Sequence, residues 1–308
     1  MRLNSLHLML TYQCTLACDH CFAWGSTWQT GTMTQAVIDR VLDEAEALGG
    51  VSTIYFEGGE PFLFYPLLLH GAREAFRRGF GVGLVTNCYW ATSFDDALAW
   101  LDPFRGLLDD FSVSYDSYHW PEQYGPLVQN ARDAAYELGL PAGTISIAAP
   151  ETSAATSLGQ LAAGESAVMY RGRAAQSLAP DAKPTPWREL DICPFEDLVD
   201  PGRVHIDPLG YVHICQGITI GNLFAEPLAE IVEAYDPMTH PICAPLLAGG
   251  PAELVRRYKL PLEGAYGDAC HLCDTARRAL RTQFPHILAP EQMYGVVGEA
   301  VEVVFEKD

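Results

Sequence analysis

A chain of 308 residues with 49% hydrophobic residues is long enough for one large core and a smaller appended module. Its 39 acidic residues outnumber 19 basic ones, for a net charge of −20, which argues against nucleic acid and against an anionic membrane surface, since both need a cationic face. The excess serves solubility first, and it would also draw a basic peptide or a cationic small molecule.

In chain order, the largely apolar residues 6–12 predict a buried strand. Cys14-Thr-Leu-Ala-Cys18-Asp-His-Cys21 then occupies the loop at its carboxyl end, where active sites of α/β barrels lie. Three thiols with spacers of three and two residues can converge on one metal centre but leave a closed tetrahedral site one ligand short. The pattern therefore points to an open coordination position and to chemistry; a zinc site completed by His20, or part of a disulfide set, are the plainer readings. Thr34 caps a predicted helix through Val37, Ile38, Val41, Leu42, Ala45 and Leu48, and Gly49-Gly50 stops it. A second strand, 51–56, runs into Glu57-Gly58-Gly59-Glu60-Pro61. There the glycines allow the backbone to approach a ligand and Glu60 offers an acceptor to a cationic amine, although such a turn alone is only a tight turn.

Further on, 66–78 predicts a helix stopped by Gly79, 82–86 a third strand ending at Asn87-Cys88, 94–101 a helix, and 110–115 a fourth strand leading to Asp116 and His119. A helix over 121–138, a strand over 144–148, a helix near 154–163 and a strand near 166–170 complete six repeats. Alternation of this kind implies parallel pairing with right-handed crossovers, hence an α/β fold built as a partial (β/α)6 TIM-type barrel over residues 1–176. Asn87, Ser114 and Asp116 at strand ends point into the mouth of such a barrel, and each is equally an ordinary turn residue.

Three prolines within 177–187 suggest an extended linker, taken as 177–190. Residues 191–308 then form a small α+β module. Within it, 203–207 and 211–215 alternate around Pro208-Leu-Gly210 as a β-hairpin, and Cys270-His-Leu-Cys273 leads into a helix over 274–281. Cys193, Cys215, Cys270 and Cys273 make a full set of four thiolates, as a closed iron–sulfur site requires; zinc is the plainer reading. Cys243 is left over as a replacement ligand, a group near substrate or a plain buried thiol, and Cys88, with no neighbouring cysteine in sequence, is expected to be unligated. The tail 294–308 alternates like an edge strand and carries no motif. Nine cysteines without a signal peptide, and no apolar run of about eighteen residues, lead us to expect a soluble cytoplasmic protein that keeps its metal centres under reducing conditions.

The CxxxCxxC loop with His20 before its last cysteine, followed by a strand ending in Gly-Gly-Glu-Pro, resembles the radical S-adenosylmethionine (radical SAM) enzymes. The resemblance implies that Cys14, Cys18 and Cys21 hold three irons of a 4Fe-4S cluster while SAM chelates the fourth. It further implies that His20, Gly58, Gly59, Glu60, Asn87, Ser114 and Asp116 surround the cofactor. Tyr170-Arg-Gly-Arg-Ala174 is similar to the turn that closes the barrel in members carrying an auxiliary domain, and it offers Arg171 and Arg173 to a carboxylate of SAM or substrate. The second cysteine set resembles a twitch domain, the shortened relative of the SPASM domain, which implies a second, auxiliary 4Fe-4S cluster held by Cys193, Cys215, Cys270 and Cys273. The implied activity is reductive cleavage of SAM to a 5'-deoxyadenosyl radical and oxidative modification of a substrate C–H bond, with a flavodoxin- or ferredoxin-type electron donor. A ribosomally made peptide is the favoured substrate, by cross-linking or dehydrogenation. A chain that enters strand one directly leaves no room for a leader-binding domain, and dehydrogenation of a small cyclitol or sugar alcohol is the alternative. A non-catalytic iron–sulfur electron carrier is the third reading, at odds with the Gly-Gly-Glu-Pro motif.

Overall fold

The computed structural model of the protein describes residues 1–119, 125–149 and 165–297. Nine of the strands it contains form one sheet around β1 (Leu3–Thr11). In chain order these strands are β1, β2 (Thr53–Gly58), β3 (Gly81–Thr86), β4 (Asp110–Ser114), β5 (Ala142–Ile147), β6 (Glu165–Ser166), β8 (Gly202–Ile206), β9 (Tyr211–Cys215) and β10 (Ile218–Asn222). Their spatial order is β10-β9-β8-β1-β2-β3-β4-β5-β6. Pairing is parallel from β8 through β1 to β6 and antiparallel only in the β8-β9-β10 meander. The two remaining short strands, β7 (Thr185–Pro186) and β11 (Ala265–Tyr266), pair with each other.

The crossover helices α1 (Gln35–Leu48), α2 (Tyr65–Arg77), α3 (Phe94–Leu101) and α4 (Gly125–Glu137) follow the expected alternation. In α1 the Thr34 side chain accepts from the Val37 N–H, Gly49 closes the last turn at φ 73°, and Ile38, Val41, Leu42 and Ala45 form the buried stripe. Burying each of the three larger side chains is worth about 1.5–3 kcal/mol. Leu6, Leu8 and Leu10 of β1 join this helix-covered core, while Met9 and Tyr12 belong to a second core with Ile214, Ile218, Leu246, Leu254 and Leu280. One strand thus contributes to both halves of the molecule.

Several expectations change here. The hairpin does not stand apart in a separate module: β8 pairs with β1 from Leu3 to Leu8, so the expected boundary at 190 is bridged by the sheet itself. Residues 177–190 are not an extended linker, because Trp187 and Leu190 are apolar anchors that bury against Ala252, Val255 and Leu272. The last expected strand of the repeat shrinks to Glu165–Ser166, after which Val168 and Tyr170 turn into a small cluster with Ala174 and Leu178. The helix near 154–163, the first turn of the helix over 121–138 and the tail beyond Val297 lie outside the described residues.

Candidate functional site

The cysteine loop leaves the carboxyl end of β1 and is fastened to its neighbours by backbone. Gly59 N–H donates to Thr11 O (2.7 Å), Glu60 N–H to Gln13 O (2.8 Å) and Cys14 N–H to Ser26 O (3.0 Å). A Cβ on Gly59 would lie 1.9 Å from Gln13 O, and Gly58 stands at φ 138° with Thr11 O 2.5 Å from where its Cβ would be. Both glycines are therefore required by the approach of β2 to the root of the loop.

Cys14, Cys18 and Cys21 line one cavity of about 1100 Å³, its open mouth included, together with His20, Phe22, Glu57, Gly58, Gly59, Asn87, Ser114, His119 and Arg171. Leu16 N–H donates to Cys14 Sγ (3.4 Å), Gly25 N–H to Cys21 Sγ (3.2 Å), and the Asn87 amide to Cys14 Sγ (3.5 Å) and Thr15 Oγ1 (3.1 Å). Burial, and then the Glu60 carboxylate, push the Cys14 thiol up to about 12. Burial together with Cys21 and Cys14 raises Cys18 as well. Three crowded thiols, two of them buried, with N–H groups aimed at two of the sulfurs fit a cationic metal centre that would stabilise their thiolates. The donor set is that of an iron–sulfur cluster with one iron left for another ligand.

Other expected residues sit differently. Glu60 is fully buried and does not line the cavity: its carboxylate accepts from Phe62 N–H (3.0 Å), Thr86 Oγ1 (2.9 Å) and Asn87 N–H (2.8 Å), so it ties β2 to β3 and is not aimed at an amine. Burial outweighs those three bonds and raises its carboxyl to about 7. Arg173 is likewise turned to the protein, donating to Cys18 O (2.6 Å) and Gly25 O (2.8 Å) with its guanidinium 5.3 Å from the Trp24 ring. Gly172, at φ 61°, presses this turn so closely on the loop that a Cβ would meet Cys21 O and Phe22 O at 2.6 Å, which delivers Arg173 to the loop carbonyls and away from the cavity. Asp116 is saturated by donors: Tyr118 N–H (3.0 Å), His119 N–H (3.1 Å) and Ile147 N–H (3.1 Å) reach it, with His119 Nδ1 at 2.8 Å and His20 Nε2 at 3.2 Å. Burial opposes its ionisation, but the bonds to His119 and His20 prevail and hold its carboxyl well below the usual range. It positions His20 and His119, which line the cavity, while itself standing back.

Cys193, Cys215, Cys270 and Cys273, drawn from three separate places in the chain, line one small cavity with Phe195, Leu198, Ile218 and Leu246. Cys270 and Cys273 come from the helix Ala269–Leu280, capped by Asp268, which accepts from His271 N–H (2.7 Å). Burial pushes Cys193 up to about 11 and Cys273 up to about 12. Two buried arginines complete the lining, Arg171 and Arg277; Arg171 Nη1 lies 3.8 Å from Cys215 Sγ and 2.8 Å from Glu196 Oε1. Four converging sulfurs with two guanidiniums beside them fit an anionic thiolate-bound centre. Cys243 is buried outside this lining near Tyr235, and Cys88 is fully buried in the helix-covered core. Arg171 lines both cavities, which makes it the side chain between them.

Sequence reasoning passed over His7, Glu57 and His205, three polar side chains on adjacent strands. The only signal for them is a polar residue interrupting each apolar strand at an inward position.

Comparison with known proteins agrees with this geometry. Residues 8–126 match the sequence profile of the radical SAM superfamily, which supports that superfamily for the part of the chain carrying the three-cysteine loop. The tungsten-containing aldehyde ferredoxin oxidoreductase cofactor-modifying protein of Pyrococcus furiosus is 36% identical over 83 residues, 27% of this chain and 23% of that one. The putative peptide biosynthesis protein YydG of Bacillus subtilis is 26% identical over 119 residues, 38% of this chain and 37% of it. The matched region thus spans well under half the length of these relatives. In fold, the chain is similar to native anSMEcpe with bound AdoMet, at a TM-score of 0.50 and 14% identity over 92% of this chain and 98% of that one. No described helix is long and apolar enough to cross a membrane.

Proposed function

We propose that the protein is a radical SAM oxidoreductase of the cytoplasm that modifies a ribosomally made peptide, using a partial (β/α)6 barrel for SAM and a twitch-type auxiliary centre. The observation that carries this reading is the convergence of Cys14, Cys18 and Cys21 with Gly58 and Gly59 on one cavity, where burial raises the Cys14 and Cys18 thiols and a bound cation would favour their thiolates. When bound, a 4Fe-4S cluster and SAM supply reductive cleavage of the sulfonium and a 5'-deoxyadenosyl radical that takes hydrogen from an unactivated C–H bond.

The chain's own residues do the rest. Asn87 and the Leu16 and Gly25 amides fix and tune the sulfurs, and Arg173 holds the loop closed. Phe22, Ile145, Ile147, Val168 and Met169 give the cavity an apolar wall that keeps water from a reactive carbon, while Ser114, His119 and Asn87 offer polar contacts to cofactor and substrate. Cys193, Cys215, Cys270 and Cys273 would hold an auxiliary 4Fe-4S cluster through four thiolates, and that cluster would supply an electron acceptor for a net two-electron oxidation. Arg171, shared by both cavities, stands between the two cysteine sites.

The peptide reading draws support from the similarity to YydG and from an acidic surface that attracts a basic leader. Anaerobic reconstitution with iron counting, followed by mass analysis of SAM products with and without candidate peptides, tests it. About eight irons per chain, 5'-deoxyadenosine on reduction, and a peptide lighter by two hydrogens are expected. Zinc in the Cys14 loop, or no 5'-deoxyadenosine, refutes it.

A further inference from the structure

We propose that His7, Glu57 and His205 form a third metal site, a two-histidine, one-carboxylate set for a divalent first-row ion on the strands below the cysteine loop. The register places the three together: His7 of β1 stands opposite His205 of β8, and Glu57 of β2 lies opposite Met9, one inward position along. His7 Nδ1 is 3.4 Å from Glu57 Oε2 and His205 Nε2 is 3.0 Å from Glu57 Oε1, and one donor atom from each of the three residues lies inside 4.8 Å of the others. Two metal–ligand bonds of about 2.1 Å meeting at roughly 90–109° leave their donor atoms about 3.0–3.4 Å apart, the range of the two histidine–carboxylate separations.

A hydrogen-bond network explains the cluster only in part, because His7 Nδ1 bonds Glu57 Oε2 at 3.4 Å while the other carboxylate oxygen is left out. Glu57 Oε1 is buried and has no hydrogen-bond partner even though His205 Nε2 stands 3.0 Å away, so the two atoms approach without donor–acceptor alignment. The His20-Asp116-His119 group differs, because both of its carboxylate oxygens are taken up by well-formed bonds. Stacking on Tyr55, with ring centroids 4.6 Å apart, fixes the His7 ring, and Phe22 stands 6.1 Å from the His205 ring. Glu57 also lines the main cavity, whereas His7 and His205 do not, so its carboxylate is the link between the two. Imidazole and carboxylate together suit zinc, iron(II), cobalt or manganese.

The test uses anaerobically reconstituted protein incubated with Zn²⁺, desalted, and assayed for zinc and iron on the same sample. Wild type is expected to keep about one zinc per chain at unchanged iron content, since zinc binds such sites tightly. Glu57→Gln and His205→Gln are expected to retain at least about tenfold less at the same iron content. Iron content and cluster absorbance report folding, and His7→Gln, at the most exposed ligand, supplies a milder variant. Zinc held equally by wild type and all three variants, or no zinc held by wild type, overturns the site. The readout is a zinc difference between variants, so it stands even if the Cys14 loop carries no cluster.

Discussion

Arg173 decides between two uses of the same cation, and its replacement by Met separates them. The guanidinium makes two charge-assisted bonds, to Cys18 O at 2.6 Å and Gly25 O at 2.8 Å, one at each side of the last loop cysteine. Such bonds are worth about 1.5–3 kcal/mol each, so the pair contributes at least about 3 kcal/mol to keeping the loop closed. Met keeps much of the apolar stem and loses both bonds, while the backbone bond from Arg173 N–H to Cys21 O remains. A loss of about 3 kcal/mol raises the population of the open loop about a hundredfold. If the cluster is lost through that opening, iron release to an excess of chelator should accelerate by a similar factor, measured by anaerobic absorbance decay. Arg173→Lys, which cannot reach both carbonyls, should fall between. Iron release at the wild-type rate together with a raised KM for SAM would refute the clamp and restore a carboxylate-binding role.

Replacing Cys14, Cys18 and Cys21 by Ala should abolish 5'-deoxyadenosine formation and halve the iron content, whereas Cys270→Ala should leave cleavage and stop product formation, as read by mass spectrometry. Gly59→Ala places a methyl carbon 1.9 Å from Gln13 O, a clash against backbone that should cost at least about 3 kcal/mol and appear as a lowered Tm and reduced iron content. Glu60, raised by burial to about 7, binds a proton in the folded state that the unfolded chain has already released. Stability should therefore fall as pH rises from about 4.5 to about 7, and Glu60→Gln should flatten that slope in urea titrations.

What the sequence made legible was local. The helix expected at 94–101 is Phe94–Leu101, with Ser93 as its cap, and Thr34 caps α1 because both signals lie within a few residues of the element they start. The seven cysteines named as ligands gather in two cavities, since their chemistry singled them out wherever the chain placed them. Pairing between β8 and β1 was not legible: strands some two hundred residues apart share no periodicity, and β10 was read as nothing because its Thr-Ile-Gly pattern is short. Residue type alone did not reveal that Glu60 and Arg173, both charged groups near the expected cofactor, also bond the chain's own backbone.

The position of β1 has a cost during synthesis. One edge of this strand is satisfied by β2, but the other waits for Gly202–Ile206, which a ribosome adding about 5–20 residues per second delivers roughly ten to forty seconds later. Over that interval a bare row of peptide groups beside Leu6, Leu8 and Leu10 is open to pairing with another nascent chain. Fragments ending before residue 202 should accordingly aggregate, and slow, cool expression should favour the full-length product.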